Sequence, residues 1–381
     1  MKKMTKLVIN AQSAHLGGGI TYLINLLEKT KNFQVVLLVN NNNIDKFTIF
    51  EKFENIEFHK SRFAGKSLVH RSLWENFYLP FYLKTSKADL LYSVSGILPK
   101  FYIPRTCKTA VICQNMIPFC PEELNRFDSF FTRLKFHIIK FSQIISFKKA
   151  NLVIFISEFA YTTIAQKILK NKVKSSTIIP HGLPDIFIPK KVTDLKNPHQ
   201  FEYVIYVSSM FEYKAQLELI DAWILLKKMR ETNEKLILIG HNETSYGNKV
   251  KAKIKANNLE DEILLKGHIE YTKLPHYYQN AKLNIFSSSC ENCPNILLEA
   301  LASGAATLCS NFSPMPEFAE NAVQYFNPYN ITETAEKIAT LLENKKQREE
   351  LSFKALDISK KYKWTTARDK TFQAFQEIIE V

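Results

Sequence analysis

The stretch CENCPNILLEALASG, residues 290–304, carries two glutamates eight positions apart, where a loop is expected to become a helix. Residues 281–286 before it predict a buried strand, and Pro294 and Gly304 suit the first turn of a helix and the position just past its end. A helix start attracts phosphate because its amide groups and its dipole are positive there. The stretch therefore predicts a site for a phosphorylated ligand. Its predicted members are Pro294, Asn295 and Ile296 at the helix start, Glu291 at the mouth and Glu299 along the helix.

Short apolar runs alternate with helical patterns along all 381 residues, which is typical of α/β units with parallel sheets. A polar segment, PKKVTDLKNPHQ at 189–200, separates two such series and predicts an interdomain linker. Open parallel sheets bind ligands at the carboxyl ends of their strands, so two doubly wound domains facing each other predict a shared cleft. The predicted strands are 6–10, 34–39, 90–93, 109–113, 152–156 and 176–179 in the first series, and 203–207, 235–239, 263–265, 283–287 and 306–309 in the second.

The excess of positive charge is confined to the first half of the chain. Residues 1–180 hold 26 Lys and Arg against 11 Asp and Glu, which leaves 25 basic and 26 acidic residues from the totals of 51 and 37. A one-sided basic surface indicates an anionic partner, which is nucleic acid, a phospholipid surface or a phosphorylated substrate. A general preference for lysine would not produce this asymmetry.

The segment 126–149 predicts a helix with a basic stripe beside an apolar face. Such a helix suits an interface with anionic lipid. The same pattern fits equally well a helix that packs into the core and whose basic edge is merely exposed to solvent. The stripe is formed by Arg126, Arg133, Lys140 and Lys148, and the apolar face by Phe127, Phe131, Leu134, Ile138, Phe141 and Ile145.

The cysteines and the amino terminus point to the cytosol. No apolar run is long enough to span a membrane, and polar residues follow the first short strand where a signal peptide needs an apolar core. The six cysteines form no disulfide framework. Cys290 and Cys293 make a lone C-x-x-C, for which a zinc site would need a second pair, and a redox role is the other alternative. We interpret all six as reduced thiols.

Several further residues follow predicted strands and could contact a ligand. Glycines let a backbone approach a ligand closely, although a triplet also fits a flexible turn. Lys214 could direct its ammonium at a phosphate, although a surface lysine fits the spacing too. His181 fits either a ligand contact or a residue that shapes its turn. The candidates are Gly17, Gly18 and Gly19, Gln114 and Asn115, His181, Ser209 and Lys214, and Gly267, His268 and Ile269.

In combination these motifs resemble family-4 glycosyltransferases, which are retaining sugar transferases with a GT-B fold and a Glu-x7-Glu signature. The strand, the serine loop, the first glutamate and the Leu-Glu-Ala helix ending in glycine all match that signature. The resemblance implies two Rossmann-like doubly wound domains facing across a cleft. Residues 1–189 would form the acceptor-side domain, 200–361 the nucleotide-sugar domain, and 362–381 a helix that crosses back onto the first.

The resemblance also implies a role for each candidate. Lys214 and the amides of 294–296 would bind the diphosphate of the donor, Glu299 the ribose, and the turn 267–269 the nucleobase. Glu291 would contact the donor sugar and stabilise its developing positive charge. The glycine loop, Gln114, Asn115 and His181 would shape the reacting pocket.

Two positions depart from the family pattern. Ser209 stands where relatives often carry arginine, which removes one cation from the diphosphate site. Gln114 stands where many relatives have histidine, and an amide can donate or accept a hydrogen bond but cannot act as an acid or a base.

The sequence thus predicts a retaining transferase that moves a hexose-type sugar from a UDP- or GDP-sugar to a glycan or lipid-linked acceptor in bacterial surface polysaccharide or lipopolysaccharide synthesis. No cofactor beyond the nucleotide-sugar is expected, and no metal, because no Asp-x-Asp occurs where a GT-A enzyme would need one. The expected partners include an anionic membrane surface but no nucleic acid. A GT-B sugar-nucleotide epimerase and a non-enzymatic anion-binding protein remain the alternatives.

Overall fold

The computed structural model describes residues 4–14, 18–30, 32–189 and 198–380. Gly17 and residues 190–197 of the predicted linker therefore lie outside the described residues. The chain divides into two compact units. The first contains Met1–Phe119, Leu134–Gly182 and Trp364–Val381, and the second contains Cys120–Arg133 and Leu183–Lys363. Residues 120–133, predicted to belong to the first domain, group by their contacts with the second unit.

The first unit is built on a seven-stranded parallel sheet in the order β3-β2-β1-β4-β5-β6-β7. Its inner strands are almost entirely apolar because helices cover both faces of such a sheet. The order reverses between β1 and β4, as in Rossmann-like folds. The strands are β1 Thr5–Asn10, β2 Phe33–Val39, β3 Ile56–Lys60, β4 Leu90–Ser93, β5 Lys108–Cys113, β6 Leu152–Phe155 and β7 Ser176–Ile178.

The second unit repeats this plan with a six-stranded parallel sheet in the order β10-β9-β8-β11-β12-β13. Here the order reverses between β8 and β11, whose residues Val204 and Leu283 are partners in register. The prediction of two doubly wound α/β domains is confirmed. The strands are β8 Tyr203–Val207, β9 Lys235–Ile239, β10 Ile263–Gly267, β11 Leu283–Phe286, β12 Thr307–Ser310 and β13 Gln324–Phe326.

The helices fill the connections between the strands. Among the described residues, they include two wide π segments, Trp74–Tyr78 and Tyr161–Ile168. The α-helices are α1 Gly18–Leu27, α2 Leu68–Leu73, α3 Leu79–Thr85, α4 Pro121–Asn125, α5 Phe130–Lys149, α6 Glu158–Ala160, α7 Gln216–Met229, α8 Ser245–Ala256, α9 Leu274–Asn280, α10 Asn295–Ala302, α11 Met315–Ala319, α12 Ile331–Glu343, α13 Lys345–Ser359 and α14 Trp364–Glu380.

The helix predicted for 126–149 begins later than expected. The hydroxyl of Ser129 accepts a hydrogen bond from the amide of Thr132 at 3.2 Å, so α5 starts at Phe130. Arg126 therefore lies outside α5 and Phe127 is buried, which corrects two members of the predicted faces. The rest of the apolar face is not packed into the core, since Phe131 is 80% exposed and Phe141 is 66% exposed.

The last helix packs within the first unit. The guanidinium of Arg368 donates to the carbonyl of Asn25 at 2.8 Å and to the carboxylate of Glu28 at 2.5 Å. Phe375 is fully buried, with its ring 4.9 Å from that of Tyr92. These contacts fix α14 against α1 and the sheet. Within the described part of the chain, we find no helix that combines the length and the apolar character needed to cross a membrane.

Candidate functional site

In the second unit, the candidate site lies where the strand order reverses. The loop after β8 leads to Lys214, and the loop after the neighbouring β11 leads to Glu291. Because the two strands are parallel and adjacent, their carboxyl ends deliver both side chains to the same edge of the sheet. This is the place where open α/β sheets bind ligands.

Lys214 and Glu291 form an ion pair at this edge. The Lys214 side chain is 8% exposed and that of Glu291 is 16% exposed, so the charges lie in a partly desolvated setting. The ammonium also lies 5.0 Å from the centre of the Tyr213 ring. The sequence also fitted a lysine exposed on the surface. The burial of the Lys214 side chain excludes that alternative.

Hydroxyl groups hold the Lys214 backbone in place. The Lys214 carbonyl accepts hydrogen bonds from Tyr206 at 3.0 Å and from Ser287 at 2.9 Å. The next residue, Ala215, adopts a left-handed conformation with φ of +53°, which ends the turn and starts α7. A left-handed conformation is uncommon outside glycine and costs conformational energy. The surrounding hydrogen bonds must therefore hold the turn that presents Lys214 in this conformation.

The serine loop ties the two strand ends together. The amide and the hydroxyl of Ser289 both donate to the Tyr213 carbonyl, at 2.8 and 3.1 Å. Ser209 is half-buried, and its carbonyl accepts from the side chain of Gln216 at 3.2 Å. Ser209 stands where relatives often carry arginine, and its neutral hydroxyl adds no positive charge to the site.

The segment 120–133 packs against the same loop, which the sequence analysis missed. The Tyr329 hydroxyl lies 2.9 Å from the Glu123 carboxylate and 2.7 Å from the Ser289 hydroxyl. The Arg126 guanidinium lies 4.2 Å from the centre of the Tyr329 ring and pairs with Glu218. These residues are up to 206 positions apart, so no local sequence pattern could have joined them.

Glu299 lies on the inner face of α10 and is buried. The Tyr271 hydroxyl donates to its carboxylate at 2.7 Å. Burial raises the pKa of Glu299 to about 7, and the hydrogen bond from Tyr271 opposes that shift without cancelling it. Tyr271 is a second site residue that the sequence analysis missed, because the aromatic ring sits 28 positions from its partner.

The start of α10 and the turn after β10 complete the features of this unit. Pro294 is the N-cap residue of α10 and supplies no side-chain hydrogen bond to the helix start. Gly267 has a φ of +63°, and a side chain added there would meet no described atom within 4 Å. Its carbonyl accepts from the Gly240 amide at 2.8 Å, while His268 is exposed and Ile269 is half-buried. A flat group can therefore approach the backbone at this turn.

The first unit holds the remaining candidates. Gln114 follows β5, and its side-chain oxygen lies 3.4 Å from where a Cβ at Gly19 would stand. Gln114 and the start of α1, at Gly18 and Gly19, are thus brought together. The side chain of the exposed Asn115 accepts from the Ile117 amide at 3.0 Å, which gives it a role in the turn.

His181 is buried between aromatic rings of the first unit. Its ring lies 5.0 Å from that of Tyr22 and 5.5 Å from that of Trp364. With 4% of its surface exposed, it packs as a core residue of the turn after β7. Of the two interpretations left open by the sequence, the packing favours the structural one.

The cysteines and the other metal-binding residue types form no metal centre in the described ranges. No group of three or more His, Cys, Asp or Glu side chains is arranged there to hold an ion. No disulfide joins any of the six cysteines, all of which lie in the described ranges. The Cys290 thiol contacts that of Cys120, and this contact together with burial raises the pKa of Cys290.

Comparison with known proteins agrees with this geometry. Residues 188–356 match the family model described as glycosyl transferases group 1. The chain is 23% identical over 291 residues to the O-antigen chain mannosyltransferase B of Escherichia coli, a match that covers 73% of each chain. Residues 188–356 thus resemble the group 1 glycosyl transferases, and the protein is an enzyme of the glycosyltransferase class.

Solved structures show the same fold over nearly the whole chain. Anabaena Alr3699/HepE, solved in complex with UDP and glucose, matches with a TM-score of 0.74 at 16% identity, covering 98% of this chain and 100% of that one. WaaG, a glycosyltransferase involved in lipopolysaccharide biosynthesis, matches with a TM-score of 0.74 at 13% identity, covering 96% and 98%. The fold is therefore GT-B.

Proposed function

We propose that this protein is a retaining glycosyltransferase that moves a hexose-type sugar from a nucleotide-sugar to a glycan or lipid-linked acceptor of a bacterial surface polysaccharide. The observation that carries the proposal is the buried pair of Lys214 and Glu291 at the switch point of the second sheet. A buried ammonium at this edge would suit phosphate, and the adjacent carboxylate suits the developing positive charge of a sugar. The finer resemblance to family 4 supports the same roles.

The donor would bind in three parts. The diphosphate takes the ammonium of Lys214 and the start of α10, where the helix dipole is positive. The ribose hydroxyls donate to Glu299, and the nucleobase lies against the backbone of the open turn at Gly267. The bound UDP of HepE and the mannosyl transfer named for the Escherichia coli relative support UDP- or GDP-sugars as donors.

The reaction would proceed on one face of the donor sugar. The bond from the anomeric carbon to the diphosphate oxygen breaks while a bond to the acceptor oxygen forms. The proton of the acceptor hydroxyl passes to the leaving phosphate, which becomes the diphosphate product. Glu291, released from Lys214 by the diphosphate, stabilises the positive charge on the sugar ring. Gln114 can hydrogen-bond a sugar hydroxyl but takes no proton.

The acceptor is proposed to be presented at an anionic membrane surface. The exposed face of α5, with Ile138 and Phe141, lies beside the basic residues Lys140 and Lys148. Apolar side chains that insert at a headgroup boundary, flanked by cations, are the pattern of interfacial helices. The names of WaaG and of the O-antigen transferase support a lipopolysaccharide or polysaccharide acceptor.

The test is thermal stabilisation by a panel of UDP-, GDP- and dTDP-sugars. A ligand at a hundred times its dissociation constant should add about 2.7 kcal/mol to the free energy of unfolding. We expect one nucleotide family to stabilise the wild type and the control Lys345→Ala, but not Lys214→Ala. Stabilisation by none of them, or equal stabilisation of Lys214→Ala, would overturn the proposed donor site.

A further inference from the structure

A groove of about 600 Å³ lies in the first unit, at the carboxyl end of the edge strand β3. One wall is formed by residues 59–63, where β3 ends, and the other by residues of the wide turn between α2 and α3. Its volume falls within the range of roughly 300–1,000 Å³ that is usual for small-molecule sites. None of the candidate residues for sugar transfer lines it.

The walls of this groove are apolar and open to solvent. Phe63, Leu73 and Phe77 line it, and Phe77 is 64% exposed. The segment Trp74–Tyr78 is a π turn inside a longer helix, an arrangement found often at functional sites. Exposed apolar side chains gathered around a concavity indicate a binding surface rather than chance exposure.

The floor of the groove is a cluster of rings around His59. The rings of Tyr78 and Trp74, which also line the groove, lie 5.8 and 6.3 Å from it, and the ring of Tyr82, outside the lining, lies 4.5 Å from it. Burial lowers the pKa of His59, despite the opposing effect of Glu57, and so favours the neutral imidazole. The floor therefore carries no charge and suits a hydrocarbon.

One wall adds positive charge. Lys60 and Arg62 line the groove, both are exposed, and neither forms an ion pair with any residue of the described ranges. Glu75, in the wide turn, is not among the lining residues, and its carboxylate accepts a hydrogen bond from the side chain of Asn10 at 2.9 Å. A guanidinium beside an ammonium suits phosphate, which a guanidinium can grip with two hydrogen bonds.

We propose that this groove binds a lipid phosphate, with the hydrocarbon chain against Phe63, Leu73 and Phe77 and the phosphate at Lys60 and Arg62. The occupant would be the lipid anchor of the acceptor, so the inference rests on the proposed function. The cluster of rings and the facing apolar side chains suit a single hydrocarbon chain. The site thereby names the acceptor as one whose lipid carries phosphate next to its chain.

The probe is farnesyl phosphate below its micellar concentration, compared with farnesol and with inorganic phosphate. Binding is measured by calorimetry and by the fluorescence of Trp74, which lines the groove. We expect farnesyl phosphate to bind more tightly than either fragment. A charge-assisted contact is worth about a tenfold change in affinity, so Arg62→Gln should weaken binding about tenfold, and Phe77→Ser by about fivefold or more.

Matched controls lie on the second unit. Phe353→Ser removes a phenylalanine that is 76% exposed, and Lys345→Gln removes an exposed cation. Neither should change the binding of farnesyl phosphate. Equal binding of farnesol, or unchanged binding by Arg62→Gln and Phe77→Ser, would overturn the groove as a lipid-phosphate site.

The same samples are tested for stabilisation by nucleotide-sugars. If nucleotides stabilise the protein but farnesyl phosphate does not bind, the groove proposal fails and the proposed transferase stands. If farnesyl phosphate binds and the variants weaken it while nucleotides do not stabilise, the groove stands and the proposed donor site fails. Capture by anionic vesicles without binding of the monomeric probe would count against the groove.

Discussion

At the scale of single residues, the carboxylate of Glu291 and a bound diphosphate compete for the ammonium of Lys214. A phosphate that takes Lys214 must break its pair with Glu291. Removing the glutamate charge should therefore leave nucleotide affinity unchanged or raise it, while removing the lysine should lower it. Substitutions of the two residues are therefore expected to change nucleotide affinity in different directions. If the ion pair were purely structural, both substitutions would change the affinity in the same direction.

The prediction is that Glu291→Gln binds the free nucleoside diphosphate at least as tightly as the wild type but transfers sugar at least about a hundredfold more slowly, the size of loss seen when a transition-state contact is removed. Lys214→Ala should bind the same nucleotide at least about tenfold more weakly. Calorimetry and a transfer assay measure the two effects, with Glu349→Gln as the control. Equal weakening of nucleotide binding in both variants would contradict the proposed roles.

Glu299 makes stability depend on pH. Its pKa in the folded protein is raised to about 7 from an ordinary value of 4.5, so the folded chain holds this proton more tightly than the unfolded chain does. The stabilising effect of the proton is complete below about pH 4.5 and is lost as the pH rises through about 7. The free energy of unfolding should fall over this window, and Glu299→Gln should remove its share of that fall.

Denaturant titrations between pH 4.5 and 8 measure this slope, with Glu349→Gln again as the control. Nucleotide binding adds an independent readout. If ribose hydroxyls donate to Glu299, binding favours the ionised carboxylate and should release protons near pH 6. Calorimetry in two buffers of different ionisation enthalpy detects the release. A variant Glu299→Gln that keeps both the slope and the proton release would exclude this carboxylate as their source.

The same residues mark how far the sequence alone could predict the site. The sequence indicated Lys214 and Glu291 as candidates because each lies in a loop after a predicted strand, where open parallel sheets bind ligands. Local patterns did not indicate Tyr271, which bonds to Glu299, or Tyr329 and Glu123, which meet at the serine loop, because these residues come from segments far away along the chain. Arg126 was assigned to a helix face, whereas it pairs with Glu218. Local patterns reveal which strand ends matter, and tertiary packing decides which side chains meet there.

At the scale of elements, all eleven predicted strands are present, with ends that differ by no more than two residues. The missed strands, Ile56–Lys60 and Gln324–Phe326, both lie at a sheet edge. An edge strand is buried less completely, so its sequence carries polar residues such as Glu57 and His59. The inner strands were predictable because burial on both faces demands continuous apolar runs.

The close approach of two strand ends gives an element-scale prediction at Gly240. This residue follows β9 with a φ of +143°, and a Cβ there would lie 2.2 Å from the Ser208 carbonyl oxygen. Gly240→Ala should therefore push the loop after β8, which leads to Lys214. We expect a loss of more than about 1 kcal/mol in the free energy of unfolding, because the native backbone is incompatible with a side chain.

Gly267→Ala is the matched control for this change. Gly267 also has a positive φ, of +63°, but a Cβ there meets open space. Its substitution should cost only the backbone strain of a left-handed residue, about 1 kcal/mol. Urea unfolding compares the two variants directly. If Gly240→Ala proves no less stable than Gly267→Ala, the contact with Ser208 does not constrain the loop.

At the scale of the whole molecule, part of the positive charge of the first half lies on a surface formed by three neighbouring segments. The wide turn Trp74–Tyr78, the loop around Lys100 and the end of α5 are joined by hydrogen bonds. The Lys100 amide donates to Asn76 at 2.7 Å, and the Lys149 ammonium donates to the Lys100 carbonyl at 2.9 Å. Phe77 and Phe101 are exposed, with ring centres 5.5 Å apart. Composition predicted an anionic partner, and the exposed rings favour a lipid surface over nucleic acid.

The prediction is that the protein binds vesicles containing anionic lipid, and that the double variant Ile138→Ser/Phe141→Ser binds them at least about tenfold more weakly, since fully burying one such side chain is worth roughly 1.5–3 kcal/mol. Both substitutions fall on the exposed face of α5, so the fold should be unaffected. Phe353→Ser is the control. Because the Debye length shrinks from about 10 Å at 0.1 M salt to about 3 Å at 1 M, high salt should weaken vesicle binding but not abolish it while the apolar face is intact. Binding that depends on salt alone, that is matched by duplex DNA, or that the double variant retains would show a basic surface without insertion of α5.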